Sequence, residues 1–148
     1  MKVIGIDPGS VGCLSKITDD GIELLNMPMA GEDVDHKKII EFISGSDYVF
    51  LEKAQSMPGQ GLVSTFKYAK NYGVLIGLIN ALNIPYMLVS PQTWKTYFKL
   101  KTGDKIDVVP CALRSFPTWE IPKAKIKAMA QGDALMIALY GKIKLNLS

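Results

Sequence analysis

The sequence predicts a single α/β domain of 148 residues, in which a mixed five-stranded sheet is flanked by helices. Three observations predict this fold. Two short apolar stretches, 3–7 and 48–52, each end in an acidic residue, and such runs are typical of buried strands. Residues 11–27 contain two strand patterns joined by an Asp-Gly turn, which is typical of a hairpin. An apolar helix at 62–82 precedes a last strand at 84–89, which predicts a right-handed βαβ crossover.

The composition is that of an ordinary globular protein, with 48% hydrophobic and 21% charged residues. No apolar run reaches the roughly 18 residues of a membrane-spanning helix, and Asp7 follows the start too closely for a signal peptide. Cys13 and Cys111 have no partner spacing, and we interpret them as buried thiols of a reducing compartment. These observations predict a cytoplasmic protein without membrane contacts.

His36 is the only histidine, which nearly excludes zinc sites and histidine-based catalytic triads. It stands at the start of a short predicted helix, 36–43, with Asp35 as the N-cap, and we interpret it as a solvated residue without a role. A metal ion bound by this chain is therefore expected to be a hard, oxygen-bound cation, Mg²⁺ or Mn²⁺.

The net charge of +3 hides an asymmetry between the two parts of the chain. Residues 1–52 carry four basic and ten acidic side chains, a balance of −6, whereas residues 53–148 carry thirteen basic and four acidic side chains, a balance of +9. Such a split predicts one face that meets a polyanion. Only Arg114 is arginine among the seventeen basic residues, so base reading by an arginine code is not expected.

The first predicted strand delivers Asp7 into the turn Pro8-Gly9-Ser10. Gly9 can adopt φ > 0 and lets an anionic ligand approach the backbone, although an aspartate here also caps a simple hairpin turn. The strand at 48–52 ends in Glu52. If the two strands are neighbours, about 4.8 Å apart, the two carboxylates come together, and they repel each other unless a cation lies between them.

The predicted hairpin has strands at 11–18 and 22–27, and residues 28–35 are expected to form a surface loop. The long helix at 62–82 carries small residues at a spacing of four, namely Gly73, Gly77 and Ala81. Such a stripe lets another element approach closely, either within the fold or as the face of a dimer.

Ser90 followed by Pro91 is typical of a helix start. The aromatic residues behind them, Trp94, Tyr97 and Phe98, are interpreted as core, with a stacking platform as the alternative.

A further helix is predicted over 104–116, with Pro110 marking a late start or a kink. Residues 117–127 are predicted to form a loop whose lysines are either solvated or in contact with phosphate. The last helix, 129–140, places Asp133 on the stripe that faces the sheet. An acid in such a position is costly unless it is paired with a lysine or binds a metal ion.

In order and spacing, these motifs resemble those of the ribonuclease H-like nucleases, and more narrowly the RuvC family of Holliday junction resolvases, especially its short phage-borne members. Each motif alone is weak, but the likeness covers nearly the whole chain. The residues that carry it are Gly5-Ile6-Asp7-Pro8-Gly9, Phe50-Leu51-Glu52, Gln60-Gly61 with Ser64 and Phe66, Ile84-Pro85-Tyr86 with Val89, Pro91-Gln92-Thr93-Trp94-Lys95, Phe116-Pro117, and Gly132-Asp133-Ala134-Leu135 with Ile137-Ala138.

The resemblance implies a ribonuclease H-like domain, residues 1–148, that acts as a homodimer in DNA recombination and repair. It would nick four-way or other branched DNA symmetrically and leave a 5′-phosphate. By position, Asp7, Glu52 and Asp133 match the catalytic acids of the family, which would hold two Mg²⁺ or Mn²⁺ ions, one activating water and one stabilising the leaving oxygen. No organic cofactor is implied, and a phage-borne member would act in the cytoplasm of its bacterial host.

By the same resemblance, the loop after Glu52 lies against the crossover point of the junction, with Met57 as an apolar wedge between base steps. Lysines supply affinity through phosphate without reading the sequence, which also fits a looser nuclease for branched DNA. The expected DNA contacts are Lys53, Ser56, Met57, Gln60, Lys95, Lys99, Lys123, Lys125 and Lys127.

One position departs from the family pattern. The family usually carries a fourth carboxylate one turn before the acid that Asp133 matches, and this turn offers Met129 or Ala130 instead. Either three acids and a metal-bound water suffice, or Ala130 replaces an aspartate and leaves a junction-binding protein that cuts poorly. A further alternative, an actin-like ATPase or sugar kinase, has a similar first strand and turn but needs two such domains around a nucleotide.

Overall fold

The computed structural model describes residues 1–55, 58–100 and 108–147. Along these residues five strands come first, helices and strands alternate in the middle, and three helices come last. The strands are β1 (Val3–Asp7), β2 (Cys13–Thr18), β3 (Gly21–Asn26), β4 (Met29–Ala30), β5 (Asp33–Val34), β6 (Tyr48–Glu52) and β7 (Tyr86–Val89). The helices are α1 (His36–Ile43), α2 (Leu62–Ala81), α3 (Pro91–Tyr97), α4 (Val109–Ser115) and α5 (Lys125–Leu147).

The main sheet has five strands in the order β3-β2-β1-β6-β7. The pairs β1–β2 and β2–β3 are antiparallel, whereas β1–β6 and β6–β7 are parallel. The predicted single domain with a mixed five-stranded sheet flanked by helices is therefore confirmed. In the register of β1 and β6, Ile6 lies opposite Leu51, which brings the next residues, Asp7 and Glu52, to the same edge of the sheet.

Both faces of the sheet are covered, because β1 and β6 are apolar at nearly every position. The face that meets α3, α4 and α5 is built around Val3, Phe50, Trp94, Leu135 and Ile137. The opposite face meets α1 and α2 around Ile4, Ile39, Leu51, Leu75 and Ile79.

Helix α5 lies directly on β1, and two glycines make this approach possible. A methyl group on Gly5 would collide with the backbone of Ala134, and one on Gly141 would collide with the ring of Phe50. The Ser15 hydroxyl donates a hydrogen bond of 2.7 Å to the Ala134 carbonyl. We call this contact of Gly5 and Ser15 with Ala134 the seam. This seam fixes the height of α5 above the sheet at the residue that follows Asp133.

The last helix is longer than the sequence predicts. It begins at Lys125, so Lys125 and Lys127 lie on a helix and not in a loop, and it continues to Leu147. The Ala-Lys-Ile-Lys-Ala run at 124–128 contains no helix breaker, and its lysines had suggested a loop only through their charge. Gly141 does not end the helix, because it is packed against Phe50.

Other element boundaries also differ from the prediction. Residues 28–35 were expected to form a loop but contain the short hairpin β4–β5. Strand β2 starts at Cys13 and not at residue 11, because the Gly12 N–H donates to the Gly9 carbonyl within a turn at 3.0 Å. The helix expected over 104–116 is described from Val109, with Pro110 in its first turn, and residues 101–107 lie outside the described residues.

Helices α2 and α5 have 20 and 23 residues. Within the described ranges, neither these nor the shorter helices combine the length and hydropathy needed to cross a bilayer.

Candidate functional site

Asp7 stands at the carboxyl end of β1, where two glycines turn the chain. Gly9 has φ of 113°, which favours glycine, and its carbonyl accepts the Gly12 N–H. A methyl group on Gly12 would collide with the Asp7 carbonyl. Gly12 therefore packs directly against the Asp7 carbonyl, and this tight turn ends β1 at Asp7.

Glu52 is held from both its side chain and its backbone. The indole Nε1 of Trp94 donates to Glu52 Oε2 at 2.8 Å, and the Tyr72 hydroxyl donates to the Glu52 carbonyl at 3.2 Å. The Ala54 N–H in turn donates to the Tyr72 hydroxyl at 3.2 Å. These contacts orient the Glu52 carboxylate before any ligand arrives.

Trp94 is a site residue that sequence reasoning missed. It is fully buried, as a core residue should be, on α3 behind the N-cap Ser90. A buried indole N–H usually needs an acceptor, and this rule could have predicted that Trp94 donates a hydrogen bond to a polar group. The sequence did not reveal that the acceptor is the carboxylate of Glu52.

Asp133 lies on α5, half-buried, one residue before the seam at Ala134. Burial, followed by the charges of Asp133 and Glu52, raises the pKa of Asp7 well above its ordinary value, and Lys95 opposes part of the rise. Burial also raises the pKa of Glu52, against the hydrogen bond from Trp94 and the charge of Lys95. Glu52 and Asp133 therefore both lie close enough to Asp7 to raise its pKa.

The donor set at this edge fits a hard divalent cation. Within the described ranges, no group of three acidic, histidine or cysteine side chains is positioned so that it could hold a metal ion. The carboxylates that converge here offer only oxygen, which Mg²⁺ and Mn²⁺ prefer, and a cation would relieve the burial and repulsion that raise the pKa of Asp7. Cys13 lies opposite Asp7 on β2, but burial raises the pKa of its thiol to about 12, so it stays protonated.

The position of the missing fourth acid is a closed apolar contact. Ala130 is 6% exposed and packs with Cys13 and Ala134. Its neighbour Gln131 is also buried, and its amide accepts from Trp119 Nε1 at 2.9 Å and donates to Asn26 Oδ1 at 3.0 Å. The turn before Asp133 therefore offers a methyl group and a structural amide.

The structure brings some of the predicted DNA contacts to the acids. Lys95 acts on both Asp7 and Glu52, and its ammonium lies 5.3 Å from the ring centroid of Trp94. Lys53 is exposed directly after Glu52, where its N–H donates to the Val89 carbonyl at 2.8 Å.

Two cavities flank the turn after Asp7. Gln60 lines one of about 500 Å³, and Lys127 lines another of about 260 Å³ together with Ser10 and Gly12. Lys99, Lys123 and Lys125 are exposed. Ser56 and Met57 lie outside the described residues.

Solved structures share this architecture. A structure of Thermus thermophilus RuvC matches with a TM-score of 0.68 at 18% identity, over 97% of this chain and 97% of that chain. The chain has the RuvC fold. Thermus thermophilus RuvC in complex with Holliday junction substrate matches with a TM-score of 0.67 at 18% identity, over 97% and 96% of the two chains.

A more distant match extends the likeness to yeast. The mitochondrial Holliday junction resolvase Ydc2 gives a TM-score of 0.54 at 14% identity, over 98% of this chain and 80% of that chain. The sequence itself matches no protein-family model and no curated protein sequence. The predicted resemblance to RuvC is thus confirmed at the level of the fold.

Proposed function

We propose that this protein is a metal-dependent, structure-selective DNA endonuclease that cleaves four-way or other branched DNA. The observation that carries the proposal is the meeting of Asp7, Glu52 and Asp133 at the carboxyl edge of a RuvC-fold sheet. A RuvC structure with the same fold is in complex with a Holliday junction, which supports branched DNA as the substrate.

In this proposal the three carboxylates hold two Mg²⁺ or Mn²⁺ ions. Ions held there would supply an activated water and charge stabilisation of the leaving oxygen for an in-line displacement at phosphorus, which would leave a 5′-phosphate. The chain's own residues prepare the site: Trp94 fixes the Glu52 carboxylate by its hydrogen bond. Lys95 adds a positive charge beside the acids, where a phosphate oxygen would approach.

The DNA contacts remain those of the sequence prediction. Lys53, Lys95 and Lys127 are placed beside the acids or the turn after Asp7, and they would bind the phosphates nearest the cut. The exposed Lys99, Lys123 and Lys125 would bind phosphates farther along the arms. Ser56, Met57 and Gln60 would meet the crossover.

We propose that the protein is a homodimer that pairs through α2. The first turns of this helix expose large apolar side chains, with Leu62 89%, Val63 68% and Phe66 71% exposed. Farther along the same helix, Gly73 and Gly77 have open space around them, so a second helix can approach closely. A two-fold pair would place two sets of acids symmetrically, as symmetric nicking requires.

Both cysteines are free and buried, which supports the prediction of a reducing compartment. We therefore place the activity in the cytoplasm, which for a phage-borne protein is that of the bacterial host.

The deciding experiment incubates the protein with a synthetic four-way junction, a flap and a plain duplex, each with Mg²⁺, Mn²⁺ or chelator. We expect metal-dependent nicks at symmetric positions of the junction and little cleavage of the duplex. Asp7→Asn should abolish cleavage and retain junction binding, while Asp20→Asn, in the exposed β2–β3 turn, should cleave like the wild type. Cleavage that persists in Asp7→Asn would refute the assignment.

A second candidate is a junction-binding protein with weak cleavage, which the buried methyl of Ala130 favours. Ala130→Asp distinguishes the two. An increase in cleavage of tenfold or more would support the second candidate, whereas unchanged cleavage by an Ala130→Asp protein that melts like the wild type would mean that three acids suffice. Ala124→Asp, at an exposed position just before α5, serves as the control.

A further inference from the structure

A cavity of about 500 Å³ opens next to the acids, on the α2 side of the sheet. Its rim includes Gly9 and Ser10 of the turn that follows Asp7, and its walls come from α2 and the β4–β5 hairpin. This volume lies within the range of about 300–1,000 Å³ that is usual for ligand pockets. The proposed cleavage chemistry does not use it.

Two tyrosines of α2 form the wall nearest the acids. The rings of Tyr68 and Tyr72 stack with centroids 6.1 Å apart and an angle of 18°. Tyr72 is hydrogen-bonded to the Glu52 carbonyl, and a methyl group on Gly9 would lie 3.8 Å from the Tyr68 ring. Burial, Glu52, Tyr72 and Asp7 together raise the pKa of Tyr68 to about 12. An aromatic surface therefore stands within electrostatic reach of the two acids.

The far wall is held in place by specific contacts. Asn71 of α2 accepts from the Val34 N–H at 3.1 Å and donates to the Glu32 carbonyl at 3.0 Å. Lys67 pairs with the Glu32 carboxylate at 2.6 Å. The hairpin is thus fastened to α2, which leaves the cavity pre-formed.

The lining is neutral, partly apolar and partly polar. Lys67 and Glu32 are its one positive and one negative side chain, and they pair with each other, so the cavity does not attract a phosphate. Its floor is apolar, and its polar groups are hydroxyls and amides from Ser10, Gln60, Ser64, Tyr68 and Asn71. A planar, uncharged ring with hydrogen-bonding edges matches this chemistry, because aromatic side chains stack on any base.

We propose that the cavity receives a nucleobase of the cleaved strand, unstacked from the junction next to the cut, with Tyr68 as its stacking surface. This inference rests on the proposed function, since it needs a DNA strand whose phosphate lies at the acids. It gives the protein a base preference beside the cut without arginine readout, set by the edges that Ser10, Ser64 and Gln60 recognise.

Photo-cross-linking tests the proposal without relying on cleavage. Junctions carrying 5-iodouracil at single positions around the cut are bound to the non-cleaving Asp7→Asn protein, irradiated, and the linked peptides are mapped by mass spectrometry. We expect one position next to the cut to link to Tyr68, and the link to disappear in Asp7→Asn combined with Tyr68→Leu. The matched control is Tyr48→Leu, which removes a half-buried tyrosine at the opposite end of β6 and should keep the link.

Cleavage of four junctions that differ only in the base at the linked position gives an independent readout. Wild type should prefer one base, and Tyr68→Leu should cleave the preferred junction about tenfold more slowly and discriminate less, in line with the usual strength of base stacking. Melting temperatures check that both variants are folded.

Three results would overturn the inference while leaving the proposed function intact: a bound junction whose links all fall outside the cavity, no link at any position, or equal cleavage of the four junctions by wild type and Tyr68→Leu. A cavity filled by the second copy of the chain would give no link. Failure of the proposed function looks different, because wild type would then neither bind nor cleave branched DNA.

Discussion

Asp7 occupies surroundings that a carboxylate ordinarily avoids. It is half-buried, and both the loss of solvent and the negative charges of Asp133 and Glu52 add to the cost of ionising it. The pKa of Asp7 is therefore higher in the folded state than in the unfolded chain. As pH rises from the unfolded pKa through the folded one, the unfolded chain releases its proton first, and the metal-free protein loses stability.

Replacing Asp7 should therefore stabilise the metal-free protein. In chelator at neutral pH, Asp7→Asn should raise the melting temperature by about 2–4 °C, the shift that 1 kcal/mol produces in a domain of this size. The gain should vanish below about pH 3.9, where the unfolded aspartate is protonated too. Thermal melts across pH measure both effects, with Asp20→Asn as control. A lower melting temperature for Asp7→Asn would show that the acid is a structural partner.

Trp94 should matter through one hydrogen bond to an acid. Trp94→Phe keeps an aromatic ring in the core but removes the donor to Glu52, and a bond to a charged group contributes about 1.5–3 kcal/mol. We expect cleavage to slow by roughly tenfold or more, and the acid limb of its pH–rate profile to move to higher pH, because this bond lowers the pKa of Glu52.

Trp119→Phe is the matched control, since it removes the same kind of donor from Gln131. A similar loss of rate in both variants, with no shift of the acid limb, would mean that the Trp94 effect comes from packing alone.

At the level of elements, the contact of α5 with β1 sets the geometry of the site. Gly5 supplies the close approach, and the Ser15 hydroxyl fixes the Ala134 carbonyl. A direct contact between the backbones of α5 and β1 therefore sets the position of Asp133 relative to Asp7.

Gly5→Ala should disturb this contact severely. The added methyl would meet the Ala134 backbone, which cannot rotate away, so the cost should reach the upper part of the usual 1–3 kcal/mol range for overpacking, or about 6 °C in melting temperature. Added Mn²⁺ should also stabilise this variant less than wild type, because Asp133 moves relative to Asp7. Gly61→Ala, where the space is open, should change the melting temperature little. If both variants had the same melting temperature, the close contact between Gly5 and the Ala134 backbone would not contribute to stability.

The sequence predicts best what a local pattern encodes. Asp7 and Glu52 were predicted at one edge because each ends an apolar strand, and the β1–β6 register places both strand ends there. The start of α5 was missed because lysines are equally compatible with a loop and a helix. The two-residue strands of the β4–β5 hairpin are too short to show a period.

Other features depend on residues that are distant in sequence. The hydrogen bond from Trp94 to Glu52 and the cavity beside Tyr68 form only when separate segments of the chain pack together. A local sequence pattern therefore cannot predict them. The roles of Asp7, Glu52 and Asp133 as metal ligands stay a prediction.

For the whole molecule, the exposed stripe of α2 predicts an assembly. Gly77→Glu places a charge where a second helix is proposed to approach, and we expect the dimer to dissociate to monomers. Analytical ultracentrifugation measures the mass, and Thr118→Glu, at an exposed loop residue, is the control of equal charge. A wild-type protein that is monomeric at all concentrations would contradict the dimer.

The charge split between the two parts of the chain predicts salt-dependent binding. With about six phosphate contacts, junction affinity should fall roughly a thousandfold between 50 and 200 mM salt. Lys127→Ala should lower the slope of log affinity against log salt by about 0.9, whereas Lys38→Ala, on α1 in the acidic part of the chain, should leave it unchanged. A junction affinity that does not change with salt would contradict phosphate binding by these lysines.

The seam between β1 and α5 also constrains how the protein comes into being. Ser15 and the Ala134 carbonyl to which it donates are separated by 119 positions. Gly5 also packs against α5, so its contact forms only when this helix is present. Long-range contacts of this kind form late, because a large loop must close first. While the chain is being synthesised, Asp7 and Glu52 leave the ribosome long before Asp133 does. In a nascent chain the three acids are therefore not yet together, and under the proposed function cleavage would begin only when α5 has been made and has docked.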